Sequence, residues 1–127
     1  MIKACGKLLL ATILILICLK PHAQTCLQKL DSAERFIYTN PEKSKFYAVS
    51  LLADLDSNIC VVEIGYAAMY NNLALILLEL NEKKRGLEAF HQGLRHELKV
   101  KDSLHKDLLG LYYNLSAVYQ EIGQFLE

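Results

Sequence analysis

Residues 70–90 read YNNLALILLELNEKKRGLEAF, and they contain two apolar patterns at helical spacing, one after the other. The first pattern consists of Tyr70, Leu73, Ala74, Leu77 and Leu80. Its intervals of three, one, three and three residues place these side chains on one face of an amphipathic helix. The second pattern runs from polar residues 82–85 to Leu87, Phe90 and Leu94. Because Asn81 between them readily adopts the left-handed conformation that ends a helix, the stretch predicts two antiparallel helices joined by a tight turn.

The same pattern recurs 42 residues further along the chain. Residues 112–116 align with residues 70–74, and Gly123 takes the place of Asn81. In the other direction, Gly86 aligns with Ser44, within a segment that also predicts a helix. Pro41 suits the first turn of that helix, with Asn40 or Thr39 as its cap. The chain therefore contains repeated helical hairpins, of which the earliest copy is degenerate.

These residues resemble the tetratricopeptide repeat, in a longer form with the 42-residue period found here. The resemblance assigns Tyr70 to the large residue of the first helix, Leu73 and Ala74 to the close-packed pair, and Phe90 to the aromatic residue of the second helix. Gly86 and Gly93 depart from the pattern, because alanine is usual at both positions and glycine costs up to about 1 kcal/mol in a helix. The resemblance covers roughly residues 41–127. It implies an all-α fold, namely a right-handed α-solenoid of antiparallel helix hairpins with about 2.5 repeats.

The first 23 residues have the composition of an export signal. Lys3 and Lys7 precede a 12-residue apolar run over residues 8–19, and Ala23 offers a small residue for cleavage. The run is too short to cross a bilayer comfortably, because a hydrocarbon core of about 30 Å needs about 20 helical residues. We therefore predict a signal peptide at residues 1–23 and export to the periplasm or the extracellular side. Retention as an N-terminal membrane anchor is the alternative, since Pro21 stands where the cleavage pattern prefers a small residue.

One small domain follows the leader, because residues 24–127 are too few for two ordinary domains. Its helical units are predicted at residues 24–58, 59–101 and 102–127, the last one truncated after its first helix. In the second unit, the first helix is expected to run from about Cys60 to Leu80. Export leaves Cys26 and Cys60 where disulfides are permitted. We favour two unpaired cysteines packed as small apolar side chains, with a single disulfide as the alternative.

The sequence contains no signature of an enzyme, a metal site or a cofactor site. A phosphate-binding glycine loop, a Cys-x-x-Cys motif and a Gly-x-Ser-x-Gly motif are all absent. His91 and His96 lie about 140° apart around a helix, so they do not share a metal-binding face and are expected to be solvated. We therefore expect no catalytic residue, metal, cofactor or small-molecule substrate.

The charge of the mature chain argues against a nucleic-acid partner. Without the three leader lysines, 11 basic and 14 acidic residues remain, so the module is slightly acidic. Its basic residues concentrate in residues 83–106, which hold seven basic and three acidic side chains. This region either suits an acidic partner segment or is a solvated face and connector.

We predict that the module holds a protein or peptide partner in a concave groove. The resemblance places in the groove those first-helix residues that lie off the apolar stripe. They are Asn71, Asn72, Leu75, Glu79, Tyr113, Asn114, Ala117 and Gln120. Asn72 and Asn114 are of particular interest, because a side-chain amide can both donate to and accept from the backbone of an extended peptide. The alternative is that these asparagines bridge neighbouring helices.

The truncated last unit leaves the apolar face of its helix without a partner. We therefore expect this chain to be the N-terminal piece of a longer array, or its bare face to be covered by another chain. Self-association through that face would make it a structural assembly module. Arrays of this kind also resemble the N-terminal extracytoplasmic parts of bacterial sensor kinases and transcriptional regulators, so a sensory portion of a longer signalling protein is a further alternative.

Overall fold

The computed structural model describes residues 24–60, 65–99 and 106–123, and all regular structure in these ranges is helical. The five helices are α1 (Cys26–Phe36), α2 (Pro41–Asp56), α3 (Tyr66–Glu79), α4 (Lys83–Leu98) and α5 (Lys106–Glu121). The predicted all-α class is thereby confirmed. The predicted signal peptide lies outside the described residues. Within the described ranges, no helix combines the length and the apolar character that a membrane span requires.

The first hairpin, α1 and α2, is bounded by capping residues. Thr25 begins α1 with a capping box, in which its hydroxyl accepts a hydrogen bond from the Gln28 N–H at 3.2 Å and its own N–H donates to the Gln28 side chain at 2.9 Å. Asn40 begins α2, where its side-chain oxygen accepts from the Lys43 N–H at 3.1 Å. Of the two predicted caps for this helix, Asn40 is therefore the one used, with Pro41 in the first turn.

The second hairpin, α3 and α4, turns at Asn81, whose φ of 61° confirms the predicted left-handed conformation. Gly123, the aligned residue after α5, has a φ of 69°. The predicted start of α3 at Cys60 is wrong, because Cys60 lies outside the helix and α3 begins at Tyr66. Gly65, the residue before it, has a φ of 88°, a conformation that interrupts a right-handed helix.

Ser44 and Gly86, which align at the 42-residue offset, occupy similar positions in the two hairpins. The Ser44 hydroxyl donates to the backbone carbonyl of Ala33 at 2.5 Å. A Cβ atom added to Gly86 would lie 3.2 Å from the backbone carbonyl of Ala74 and 2.9 Å from the Leu78 side chain. The absence of a side chain at Gly86 therefore lets α3 and α4 approach each other closely.

The hairpins join into one core. Helix α3 contacts both helices of the first hairpin, and α5 contacts both helices of the second. Gly93 marks the point where α3, α4 and α5 meet, since an added Cβ would lie 2.9 Å from the Cβ of Tyr70 and 3.3 Å from Leu111. The largest fully buried apolar side chains are Phe90, Leu51, Leu55, Met69, Leu73, Leu77, Leu108 and Leu111.

A disulfide between Cys26 and Cys60 crosslinks the start of α1 to the connector that precedes α3. Its Cα atoms are 5.7 Å apart, and both residues are buried. The favoured prediction of two unpaired cysteines was wrong, because the fold of the first hairpin brings together two residues that are 34 positions apart. The Asp54 carboxylate lies within 4.8 Å of both sulfur atoms but is bound by Lys29. The disulfide therefore lies beside the ion pair between Lys29 and Asp54.

Candidate partner-binding surface

An exposed stripe runs along α3, formed by the predicted groove residues Asn72, Leu75 and Glu79. Their intervals of three and four residues place them on one face of the helix. Leu75 is 40% exposed, which is unusual among the otherwise buried large apolar residues of this helix. Helix α4 packs on a different face of α3, through Ala74 and Leu78. The stripe is therefore free for a partner in the described part of the chain.

The predicted groove residues of α5 separate into two groups. Tyr113, Ala117 and Gln120 are exposed, whereas Asn114 is half-buried. The Asn114 amide donates a hydrogen bond to the side-chain oxygen of Asn71 on α3 at 2.7 Å. Asn114 thus bridges two helices, as the alternative interpretation held, and its partner is Asn71 rather than Asn72.

Tyr113 is one of the exposed residues of α5. At the 42-residue offset it aligns with Asn71, the residue through which α3 contacts the following helix α5. By the same alignment, Tyr113 faces away from α3, and it is 77% exposed. The predicted groove residues that are exposed are therefore Asn72, Leu75 and Glu79 on α3, with Tyr113, Ala117 and Gln120 on α5.

A concavity of about 200 Å³ lies where the ends of α2 and α4 meet α3. Its lining is polar and comprises Leu55, Asp56, Asn58, Tyr70, Gln92, Arg95, His96 and Lys99. The Tyr70 hydroxyl donates to the Asp56 carboxylate at 3.0 Å, and burial followed by this hydrogen bond raises the pKa of Tyr70. The sequence did not predict this pocket. Its basic lining residues Arg95 and Lys99 do belong to residues 83–106, the region in which basic side chains concentrate.

The prediction that His91 and His96 are solvated was wrong, since both are half-buried. The Nε2 atom of His91 lies 2.9 Å from the Tyr119 hydroxyl on α5. The ring of His96 stacks on Tyr66 of α3, with centroids 4.0 Å apart, and its buried Nδ1 has no hydrogen-bond partner among the described residues. Because the two histidines lie about 140° apart around α4, His91 contacts α5 and His96 contacts α3. Each histidine is therefore a packing contact between helices.

Comparison of the chain with protein-family models, with curated proteins and with solved structures gave no significant match. The functional assignment therefore depends on the chain's own residues and on the surfaces that they form.

Proposed function

We propose that this chain is an exported helical scaffold that binds an extended segment of another protein along the exposed surface of α3 and α5. In this proposal the hairpins continue the tetratricopeptide-like order as a right-handed solenoid, with α1, α3 and α5 on the concave side. Binding would use shape and hydrogen bonds, without a chemical reaction. Export is proposed from the leader-like residues 1–23.

The observation that carries this proposal is the exposed stripe Asn72, Leu75 and Glu79 on α3. Its position matters, because α3 is in contact with α1, α2, α4 and α5 and buries half of its residues. An apolar side chain that stays 40% exposed on the central helix of a small domain is a natural contact for a partner.

The three side chains of the stripe would each contribute a different interaction. The Asn72 amide would hydrogen-bond the peptide backbone, because it can donate and accept at once. Leu75 would bury an apolar side chain of the partner, at about 25 cal/mol per Å² of apolar surface removed from water. Glu79 would favour a basic side chain near the end of the segment. The proposed partner segment is therefore extended, with an apolar residue followed or preceded by a basic one.

The test is a selection of displayed random peptides on the purified protein, followed by affinity measurements with the selected peptides on variants. We expect Leu75→Ser/Glu79→Gln to weaken peptide binding at least tenfold, and Asn72→Ala to weaken it less. Asn114 is unsuitable for this purpose, because its replacement would also remove the hydrogen bond to Asn71.

The matched control is Phe46→Ser/Glu42→Gln on α2, which also replaces one exposed apolar and one exposed acidic side chain. Phe46 is 69% exposed, so the control removes at least as much apolar surface as the test. Equal affinity of the control and the stripe variant for every selected peptide would rule out the α3 surface as the binding site.

A further inference from the structure

The pocket at the ends of α2 and α4 is lined by charges of both signs that are not paired with each other. Arg95 and Lys99 supply two cations to its wall, and Asp56 supplies a carboxylate. Among the described residues, no salt bridge joins Asp56 to either cation. Because the two signs line one cavity without meeting, a single bound molecule can contact both.

The carboxylate of Asp56 lies where its own helix does not favour it. Asp56 is the last residue of α2, and a negative charge is unfavourable at the C-terminal end of a helix. The Tyr70 hydroxyl donates to the Oδ1 atom of Asp56 at 3.0 Å, whereas Oδ2 has no hydrogen-bond partner in the described part of the chain. The Oδ2 atom is therefore available to accept from an ammonium group.

The end of α4 supplies hydrogen-bond donors to the same pocket. The Nε atom of Arg95 donates to the Gln92 side chain at 3.3 Å, and the other guanidinium nitrogens have no acceptor among the residues that the structure describes. His96 also lines the pocket, and its buried Nδ1 has no partner there either. Because a buried N–H without an acceptor is unfavourable, the neutral ring carries its proton on Nε2, which is then a donor. A carboxylate is the natural acceptor for such a set of donors.

We propose that this pocket binds a small zwitterion, that is, a molecule with one carboxylate and one ammonium group. The carboxylate of the ligand lies against Arg95 and Lys99, and its ammonium group lies against Asp56. The volume fits a small ligand, since pockets for drug-sized molecules measure about 300–1,000 Å³ and this one measures about 200 Å³. Leu55 is the one aliphatic residue of the lining, so the ligand carries no large apolar group.

The position of the charged residues determines the strength of binding. Asp56, Arg95 and Lys99 are all exposed, so water and salt screen their charges. We therefore expect a dissociation constant of about 1 mM, which increases with ionic strength.

The test is an NMR titration of the isotope-labelled protein at constant ionic strength. The probes are alanine, β-alanine and γ-aminobutyrate, which differ in the distance between their two charged groups. Propionate and propylamine are the matched probes, since each keeps only one of the charges. We expect at least one zwitterion to bind and to shift the side-chain amides of Asn58 and Gln92, which line the pocket. Both single-charge probes should bind at least about fivefold more weakly.

Two variants remove one charge each and keep the size of the side chain. Arg95→Gln should weaken the binding of the zwitterion and of propionate alike. Asp56→Asn keeps an oxygen that accepts from Tyr70, and it should weaken only the zwitterion, so that the zwitterion and propionate bind equally. Lys84→Gln and Glu88→Gln, exposed changes on α4 outside the pocket, are the controls and should have no effect. Circular dichroism should be the same for all four variants.

Three results would overturn the proposal. The first is that none of the three zwitterions binds. The second is that propionate binds the parent protein as tightly as the best zwitterion, which would make the pocket a site for an anion alone. The third is an unchanged affinity in Arg95→Gln or Asp56→Asn, which would place the binding elsewhere on the chain. The pocket shares no residue with the stripe Asn72, Leu75 and Glu79, so the outcome for peptide binding is independent of this one.

Discussion

The carboxylate of Glu97, near the end of α4, accepts a hydrogen bond from the backbone N–H of Ala67, in the first turn of α3, at 3.0 Å. The residue that begins α3 is Gly65, which has no side chain to cap the helix. Glu97 therefore supplies the missing acceptor from 30 residues away, and its negative charge lies where the helix dipole favours it. The contact joins the two ends of the second hairpin.

The first prediction concerns this long-range cap. Glu97→Ala should lower the free energy of unfolding by about 1–3 kcal/mol, because it leaves a buried N–H without its acceptor. Glu97→Gln should cost less, since the amide oxygen still accepts. Urea unfolding followed by circular dichroism measures both. Glu88→Ala, an exposed change on the same helix, should stay within about 0.5 kcal/mol of the parent, and a loss equal to that of Glu97→Ala would contradict the capping role.

The second prediction compares two helical glycines. Gly93→Ala should destabilise the protein by about 1–3 kcal/mol, although alanine is the better helix former, because the new Cβ would lie 2.9 Å from the Cβ of Tyr70. Gly110→Ala should instead stabilise by up to about 1 kcal/mol, since nothing lies within 4 Å of the added atom. Thermal unfolding of the two variants and of the parent protein measures both changes in stability. Stabilisation by both substitutions would mean that helix propensity outweighs packing at Gly93.

The third prediction concerns the crosslink. Reduction of the Cys26–Cys60 disulfide should lower the free energy of unfolding by about 3–4 kcal/mol, because the bridge restricts a long loop of the unfolded chain. Denaturant unfolding with and without a thiol reductant measures this loss. The variant Cys26→Ala/Cys60→Ala should be as unstable as the reduced protein and should not respond to the reductant. A parent protein that is equally stable in both conditions would contradict a stabilising role for the bridge.

The fourth prediction concerns alkaline stability. Burial and the hydrogen bond to Asp56 raise the pKa of Tyr70, so the folded protein retains this proton at a pH where the unfolded chain, with the ordinary value of 10.0, releases it. The contribution of Tyr70 to the free energy of unfolding is therefore fully present below about pH 10 and decreases as the pH rises further.

Tyr70→Phe should accordingly cost about 0.5–1.5 kcal/mol at neutral pH and make the alkaline decrease less steep. Urea unfolding between pH 7 and pH 11 would check both effects. Tyr38→Phe serves as the control, because Tyr38 is 84% exposed and should change neither quantity. An unchanged alkaline slope in Tyr70→Phe would show that other groups cause the decrease.

Local features were predictable because they depend on residues close together in the chain. The apolar stripe of α3, the left-handed Asn81 and the cap at Asn40 all follow from helix periodicity and from the preferences of single residues. The exposure of Asn72, Leu75 and Glu79 was also implied, since these residues lie off the stripe. The start of α3 was not found, because the apolar residues before Gly65 continued a helical pattern in the sequence.

By itself, the sequence determined that the chain is helical, and it predicted most of the buried stripe of α3. Only the tertiary structure decided that Cys26 pairs with Cys60, that Glu97 caps α3 and that Asn114 binds Asn71. The physical reason is that these contacts join residues 30 to 43 positions apart, on two different helices or on a helix and a connector. Periodicity specifies the face on which a side chain lies, but the packing of one helix on another determines which side chain it meets.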